Sequence, residues 1–189
     1  MVFPERFSTL PVATWPRLRA LLDVPTQADE VINMTIGEPR HAFPAFVGDV
    51  LTANLGSFGK YPNNDGTPDL LDAIAGFLKR RYGLNVDHAN LLTLNGTREG
   101  LYNAAMALCP ETKNGKQPVI LTPNPFYQVY AVAALSVGAE PVYVPATPET
   151  GNLPDFVNLP ADVLDRTAIA YVCSPANPQG AVADEAYWR

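Results

Sequence analysis

Residues that bind metals or cross-link a chain are scarce in this sequence. It contains 2 cysteines and 2 histidines among 189 residues. Cys109 and Cys173 both lie in apolar stretches, which favours two buried thiols over a disulfide. His41 and His88 are far apart, and neither has a cysteine or a second histidine at ligand spacing. The sequence therefore predicts neither a disulfide framework nor a bound metal.

Basic residues are also few: 13 Lys and Arg stand against 19 Asp and Glu, for a formal net charge of -6 at pH 7. The basic residues are scattered rather than clustered, which argues against nucleic acid or an anionic membrane as a partner. The N-terminal stretch lacks the basic-then-apolar pattern of a signal peptide, and no apolar run approaches the length that spans a bilayer. We expect a cytoplasmic protein.

The sequence does contain alternating helix and strand signals, separated by many of its 19 prolines. The clearest helix is predicted from Pro68 to Tyr82, with Thr67 as its N-cap and Gly83 closing it in the left-handed conformation. Its predicted apolar stripe consists of Leu70, Leu71, Ile74, Phe77 and Leu78. A second helix is predicted after Thr97, with its inner face formed by Leu101, Ala105 and Leu108. Further helices are predicted at 127–137, 15–22 and 45–55.

Short apolar runs lie between the predicted helices, at 91–94, 119–121, 141–145 and 168–173. Each is nearly continuous in apolar character, as in strands that are buried on both faces. Strands that alternate with helices predict an α/β fold: a three-layer sandwich around a largely parallel sheet. The first 40 residues differ, because they hold one helix, a linker-like segment at 23–30 and one strand at 31–37. We therefore predict an N-terminal arm and small-domain segment over 1–40 and a main domain over 41–189.

Three of the predicted strands are followed by unusual loops, at 95–98, 122–127 and 174–180. In an open parallel sheet these loops share the carboxyl edge, where ligands bind. Gly96 leads directly into a helix, whose first N–H groups and dipole attract a phosphate, and Thr97 adds a hydroxyl. Tyr127 offers a flat ring for stacking, and Asn177 offers an amide donor. Together they match the needs of a phosphorylated aromatic cofactor.

Five motifs occur in order along the chain: "TIGEP" (35–39), "YPNNDGTPDLLDAIAGFLKRRYG" (61–83), "NGTREGLYNAA" (95–105), "PNPFYQVY" (123–130) and "SPANPQG" (174–180). With these motifs the chain resembles the class I/II aminotransferases, the fold-type-I enzymes that depend on pyridoxal 5′-phosphate. The resemblance covers essentially the whole chain and implies the N-terminal portion of such an enzyme, including the first part of its cofactor-binding large domain. "PRLRALL" (16–22) and "IGEPRHAFPAFV" (36–47) are similar to members that act on N-succinyl-diaminopimelate.

The resemblance implies roles for the loop residues in binding pyridoxal 5′-phosphate. Gly96, Thr97 and Arg98 would hold the phosphate, mainly through backbone N–H groups. Tyr127 would stack on the pyridine ring, and Asn177 would hydrogen-bond the phenolic oxygen. Members of the family commonly have cis peptide bonds at the positions that match 124–125 and 177–178.

Two further roles are implied for the earlier part of the chain. Gly37 would lie near the substrate carboxylate, and Tyr61 would reach the cofactor phosphate of the other subunit of a homodimer. One position departs from the family pattern, because Gln179 stands where the last motif usually has threonine. We expect little effect on cofactor contact, since that threonine is not the main ligand.

The resemblance also implies that part of the active site lies elsewhere. Family members are roughly twice this length, which is consistent with two domains. The Schiff-base lysine, the aspartate facing the pyridine nitrogen and the carboxylate-binding arginine would belong to sequence beyond Arg189. None of Lys60, Lys79, Lys113 and Lys116 lies in a segment that matches the lysine motif. We expect this chain alone to lack transaminase activity, whether it arises by truncation or by cleavage after arginine.

Other functions stay open at this point. A carbon–sulfur β-lyase of the same fold would carry the same cofactor motifs. A truncated scaffold that only binds ligand or dimerises would keep them as well. A nicotinamide-dependent dehydrogenase fits less well, because "NGTREG" supplies only Gly96 and Gly100 of the G-x-G-x-x-G pattern. The preferred hypothesis is transfer of an amino group between an amino acid and a 2-oxo acid, such as glutamate and 2-oxoglutarate.

Overall fold

The computed structural model describes residues 4, 5, 8, 14–23, 32, 34, 37–39 and 41–189. They form two compact units. We call Leu94–Arg189, with the described positions among 1–14, the sheet unit, and the described residues of Trp15–Thr93 the helical unit. This division does not test the predicted domain boundary after residue 40, which stays a prediction.

The sheet unit is built on three strands that are all parallel. Their bounds are β1, Val119–Asn124; β2, Glu140–Pro145; and β3, Thr167–Ala170. The strand order is β2-β1-β3, so β1 is central. Val119 pairs with Glu140 on one side and Thr167 on the other, with an irregularity before the pairing of Ile120 with Ile169. The predicted parallel α/β sheet is confirmed.

The central strand β1 is buried on both faces. Ile120 packs on one face in a cluster with Ala105 and Tyr130, whereas Val119 and Leu121 pack on the other face with Val144. Successive side chains of a strand point to opposite faces, so an apolar layer on each side requires a continuous apolar run. This burial explains the unbroken "VIL" of the sequence.

Helices flank the strands of the sheet unit. Their bounds are α4, Thr97–Leu108; α5, Gln128–Ser136; α6, Ala161–Arg166; and α7, Glu185–Trp188. Helices α4 and α5 pack against each other and supply much of the first apolar cluster, including the fully buried Ala105 and Ala133. Leu108, predicted to face inward, is exposed because the packed face of α4 passes through Tyr102, Ala105 and Cys109 and leaves Leu108 to one side.

The helical unit contains the remaining α-helices. They are α1, Thr14–Leu22, whose first residue belongs to the sheet unit; α2, Phe46–Ala53; and α3, Pro68–Tyr82. Helix α3 has the predicted bounds and caps: the Thr67 hydroxyl accepts from the Leu70 N–H, and Gly83 has φ 70°. Its predicted apolar stripe is only partly covered, since Leu71 is buried while Leu70 and Phe77 are exposed. No helix among the described residues is long and apolar enough to cross a membrane.

The predicted strand at 91–94 is wrong. These residues are not assigned to any strand, and Leu92 and Leu94 are exposed. A strand needs a neighbour to complete its hydrogen bonds, and none of the described segments pairs with this one. The predicted linker at 23–30 and strand at 31–37 fall largely outside the described residues.

One arginine ties together the amino ends of the three strands. Arg166 directly precedes β3, and its guanidinium donates to the Glu140 carboxylate (2.8 Å), on the first residue of β2, and to the Gln117 carbonyl (3.2 Å), just before β1. The Asp162 carboxylate lies 3.6 Å away on the same side. The Arg166 side chain is mostly covered, with 14% of its surface exposed. Its fork of donors therefore joins all three strands at the edge opposite the candidate loops.

Candidate functional site

The loop before α4 has a backbone shape that favours glycine. Gly96 is the N-cap of α4 and has φ 102° and ψ 151°, a region almost closed to residues with a Cβ. Because Gly96 has no side chain, it cannot cap the first N–H groups of the helix. The N-terminus of α4 therefore presents backbone donors, the positive end of the helix dipole and the Thr97 hydroxyl to an incoming anion.

Glu99, which the sequence-based reasoning did not single out, stabilises this loop from within. Its carboxylate accepts a hydrogen bond from the Asn95 N–H at 2.8 Å, and its own N–H donates to the Gly96 carbonyl at 3.2 Å. Glutamate three residues after an N-cap is a known capping arrangement, in which the side chain reaches back to the start of the helix. The spacing Gly96-x-x-Glu99 is the signal that could have identified it.

We expect Glu99→Ala to loosen the loop without unfolding the protein. Amide hydrogen exchange at Asn95 should become faster by up to about tenfold, since a typical hydrogen bond contributes about 0.5–1.5 kcal/mol net. Glu99→Gln keeps an acceptor oxygen and should retain most of the protection. Equal exchange rates at Asn95 in the wild type and Glu99→Ala would show that this bond does not hold the loop.

Tyr127 connects the loop at 122–127 to the loop at 95–98. It is the N-cap of α5, three residues after the end of β1. The Arg98 Nε–H donates to the Tyr127 hydroxyl, and the guanidinium carbon lies 5.4 Å from the centre of the tyrosine ring. The structure thus brings Arg98 and Tyr127 together, and their roles around a cofactor stay predictions. The loop at 95–98 contacts Tyr127 although the residues at 91–94 before it form no strand.

Two further tyrosines support Tyr127 from the core. The Tyr130 ring meets the Tyr127 ring edge-on at 5.8 Å and stacks on the Tyr171 ring at 4.4 Å. The Tyr171 hydroxyl donates to the Leu101 carbonyl of α4 at 2.6 Å. Burial raises the pKa values of both Tyr130 and Tyr171, which therefore remain neutral at physiological pH. Neither residue was predicted as part of the site, because their stacking joins α5 to the residue that follows β3, a contact between segments that are distant in the sequence.

Asn177 lies in a tight turn after β3, at the same carboxyl edge as the loop after β1. The Gly180 N–H donates to the Ala176 carbonyl, and the Ala176 N–H donates to the Ala181 carbonyl. The peptide bonds at 124–125 and 177–178 are cis, as the resemblance implies, and so is the bond at 174–175. The Asn177 side chain is exposed. Its contact with a cofactor oxygen stays a prediction.

Gly37 and Tyr61 lie in the helical unit. Both are exposed, and Tyr61 is fully so. Their implied partners, a substrate carboxylate and the phosphate bound by another subunit, would come from outside this unit. Both roles stay predictions.

The donors at the sheet unit suit a phosphorylated aromatic ligand. Two backbone N–H groups at a helix start and the Thr97 hydroxyl form an anion-binding set, and the Arg98 side chain joins this helix start to the half-exposed ring of Tyr127. A Cβ added at Gly96 would meet no other atom within 4 Å, so the space next to this residue is open. The residues present therefore fit the phosphate and ring of pyridoxal 5′-phosphate.

Comparison with known proteins agrees with this chemistry. The family model "Aminotransferase class I and II" matches residues 29–189. An LL-diaminopimelate aminotransferase of Syntrophobacter fumaroxidans is 32% identical, over 98% of this chain and 47% of the relative.

Solved structures give the same result. An aminotransferase from Neisseria meningitidis superposes with a TM-score of 0.88 and 35% identity, covering 98% of this chain and 48% of the other. Substrate-bound BacF from Bacillus subtilis gives a TM-score of 0.83 and 30% identity, covering 100% and 48%. This chain spans about half the length of the proteins it matches.

Proposed function

Because the chain belongs to the class I and II aminotransferase family, whose members depend on pyridoxal 5′-phosphate, we propose that it supplies the cofactor-binding part of such an enzyme. The complete activity would be the transfer of an amino group between an amino acid and a 2-oxo acid. The observation that carries the proposal is the contact between Arg98 and Tyr127, which joins an uncapped helix start to an aromatic ring.

Each residue of the site has a defined task in this proposal. The N–H groups of Thr97 and Arg98, with the Thr97 hydroxyl, would hold the phosphate, and Tyr127 would cover one face of the pyridine ring. Asn177 would donate to the ring oxygen and limit its rotation. When bound, the cofactor acts as an electron sink for the α-carbon of the amino acid. The residues of this chain bind and orient the ring for that chemistry.

The substrate is proposed to be a dicarboxylic amino acid of the diaminopimelate type, with glutamate and 2-oxoglutarate as the other pair. Support comes from the curated relatives named LL-diaminopimelate aminotransferase, at 27–32% identity. The sequence motifs at 16–22 and 36–47 favour the N-succinyl form, as in succinyldiaminopimelate aminotransferase. Steady-state assays with both forms, using an enzyme that contains this chain, would separate the two.

We propose a homodimer as the working assembly. All eight residues of α2 are described and none is buried, although four of them are Val, Leu or Phe. Phe58 and Tyr61, which follow α2, are also exposed. Apolar surface of this kind needs a covering partner, and a second copy is the occupant that the family resemblance favours. Sedimentation velocity tests this: a monomer at micromolar concentration would contradict it.

A direct binding experiment tests the cofactor assignment. We expect the chain to bind pyridoxal 5′-phosphate, measured by quenching of tyrosine and tryptophan fluorescence. Pyridoxal, which lacks the phosphate, should bind at least about tenfold more weakly, since charge-assisted hydrogen bonds contribute about 1.5–3 kcal/mol each. Inorganic phosphate should compete with the cofactor. Equal affinity for pyridoxal and its phosphate, or no binding of either, would overturn the assignment.

We also predict that none of the four lysines of this chain becomes covalently linked to the cofactor. In the sheet unit, Lys113 and Lys116 precede the amino end of β1. This six-residue strand separates them from the carboxyl edge by roughly 20 Å at about 3.3 Å per residue. Lys60 and Lys79 are exposed in the helical unit.

The check is borohydride reduction in the presence of the cofactor, followed by peptide mass spectrometry. A free-lysine peptide serves as the control for non-specific labelling. Stoichiometric pyridoxyl adduct on one of the four lysines would contradict the prediction, because this chain would then supply the covalent link to the cofactor itself.

A further inference from the structure

Arg98 has two candidate tasks, and its side-chain contacts distinguish between them. A guanidinium beside a helix start is an obvious phosphate ligand. In this structure, however, the Arg98 Nε–H is engaged with the Tyr127 hydroxyl, and the guanidinium lies toward that ring. The guanidinium is thus directed at the ring, and the phosphate donors of the loop itself are the backbone N–H groups and the Thr97 hydroxyl.

Tyr127 is fixed at two separate points. Its ring meets the buried Tyr130 ring nearly at right angles, with an interplanar angle of 89°. Its hydroxyl, at the far end of the ring, is held by Arg98. A tyrosine ring has two side-chain torsions, and contacts at its edge and at its tip together restrict both. With 39% of the residue exposed, a ring held only by Tyr130 would be free to swing toward solvent.

Resting on the proposed function, we infer that Arg98 is a positioning residue: its Nε–H···Oη bond sets the plane of the Tyr127 ring before the cofactor binds. The conformational entropy lost on binding is then smaller, because the stacking partner is already in place. The planar fork of arginine provides this bond in a fixed direction, which the flexible ammonium of lysine does not. Arg98 thus contributes to binding of the pyridine ring rather than of the phosphate.

The test uses Arg98→Lys, which keeps the positive charge but loses the directed N–H. It therefore distinguishes an effect on the position of the Tyr127 ring from an effect of charge. Two ligands are titrated, pyridoxal 5′-phosphate and inorganic phosphate, and the induced circular dichroism of the bound cofactor is recorded. We expect Arg98→Lys to bind inorganic phosphate as the wild type does. Its affinity for pyridoxal 5′-phosphate should fall about fivefold to tenfold, the range of one hydrogen bond, with a weaker dichroic band.

A double-mutant cycle with Tyr127→Phe identifies the partner of Arg98. Tyr127→Phe removes the hydroxyl and should give the same losses, and adding Arg98→Lys to it should have no further effect. The matched control is Arg81→Lys, since the Arg81 guanidinium carbon lies 5.1 Å from the centre of the Tyr82 ring and belongs to the helical unit, whereas Gly96 belongs to the sheet unit. It should leave both ligands and the dichroic band unchanged.

Each outcome decides the inference. Wild-type affinity and dichroism in Arg98→Lys would show that charge alone matters and would overturn it. Additive losses in the double variant would overturn it too, because Arg98 would then act independently of the Tyr127 hydroxyl. Failure of the wild type to bind pyridoxal 5′-phosphate would overturn the proposed function and this inference together. Arg98 is exposed, so thermal unfolding of the variants should match the wild type and exclude a folding defect.

Discussion

Replacing Gly96 by alanine is expected to weaken pyridoxal 5′-phosphate binding by about 10- to 100-fold. The cause is backbone strain, because a residue with a Cβ at φ 102° and ψ 151° costs about 1–3 kcal/mol. A Cβ at this position would meet no other atom within 4 Å, so a steric clash is not the reason. The loop would relax to another shape, and the first N–H groups of α4 would turn away from the phosphate.

Gly138→Ala is the matched control for this experiment. Gly138 also has a positive φ of 75° with open space around it, but it follows the last turn of α5. Tyr127 caps the other end of α5, so about 16 Å separates the two positions over eleven residues at 1.5 Å per residue. The control should lower the free energy of unfolding and leave the dissociation constant unchanged. Comparable binding losses in both variants would mean that Gly96 has no particular role in the loop.

Tyr130→Ala is expected to have the largest effect on stability. The residue is 6% exposed, packs among Ile120, Ala105 and Ala133, and stacks on Tyr171 with an interplanar angle of 14°. Removing a buried aromatic ring costs about 3–5 kcal/mol, a large part of the 5–15 kcal/mol that typically holds a domain together. The ring of Tyr127 would also lose its edge contact, so cofactor binding should fall even in the fraction that stays folded.

Urea unfolding followed by circular dichroism measures this effect. Tyr143→Ala is the control, because Tyr143 is 42% exposed on the edge strand β2, where its ring lies 4.9 Å from that of Phe126. It should cost far less than Tyr130→Ala. A midpoint shift in Tyr130→Ala no larger than that of Tyr143→Ala would show that the stacked pair of Tyr130 and Tyr171 contributes little to the core.

Features with local causes could be predicted from the sequence. Helix α3 has the expected first and last residues because Thr67, Pro68 and Gly83 act within one turn of the helix ends. The central strand was predictable as well, since burial on both faces leaves an unbroken apolar run. The segment 91–94 is similarly apolar, but a strand depends on its neighbour, which is a long-range property that composition does not report.

In the site, too, features with local causes could be predicted and features that depend on long-range packing could not. The backbone role of Gly96 and the ring of Tyr127 follow from their places next to a helix start and after a strand. Glu99 was detectable in principle from its spacing, whereas Tyr130 and Tyr171 join the site only through the stacking of their rings across a long sequence separation. The direction of the Arg98 side chain could not be predicted, because several rotamers of a long side chain fit the same backbone.

The position of Arg166 has a consequence for how this fold tolerates change. A single guanidinium fastens the starting ends of all three strands, far from the ligand loops. The register of the strands is therefore held at their amino ends, and residues at their carboxyl ends contribute little to it. Substitutions there are free to alter what the protein recognises while the scaffold beneath keeps its register.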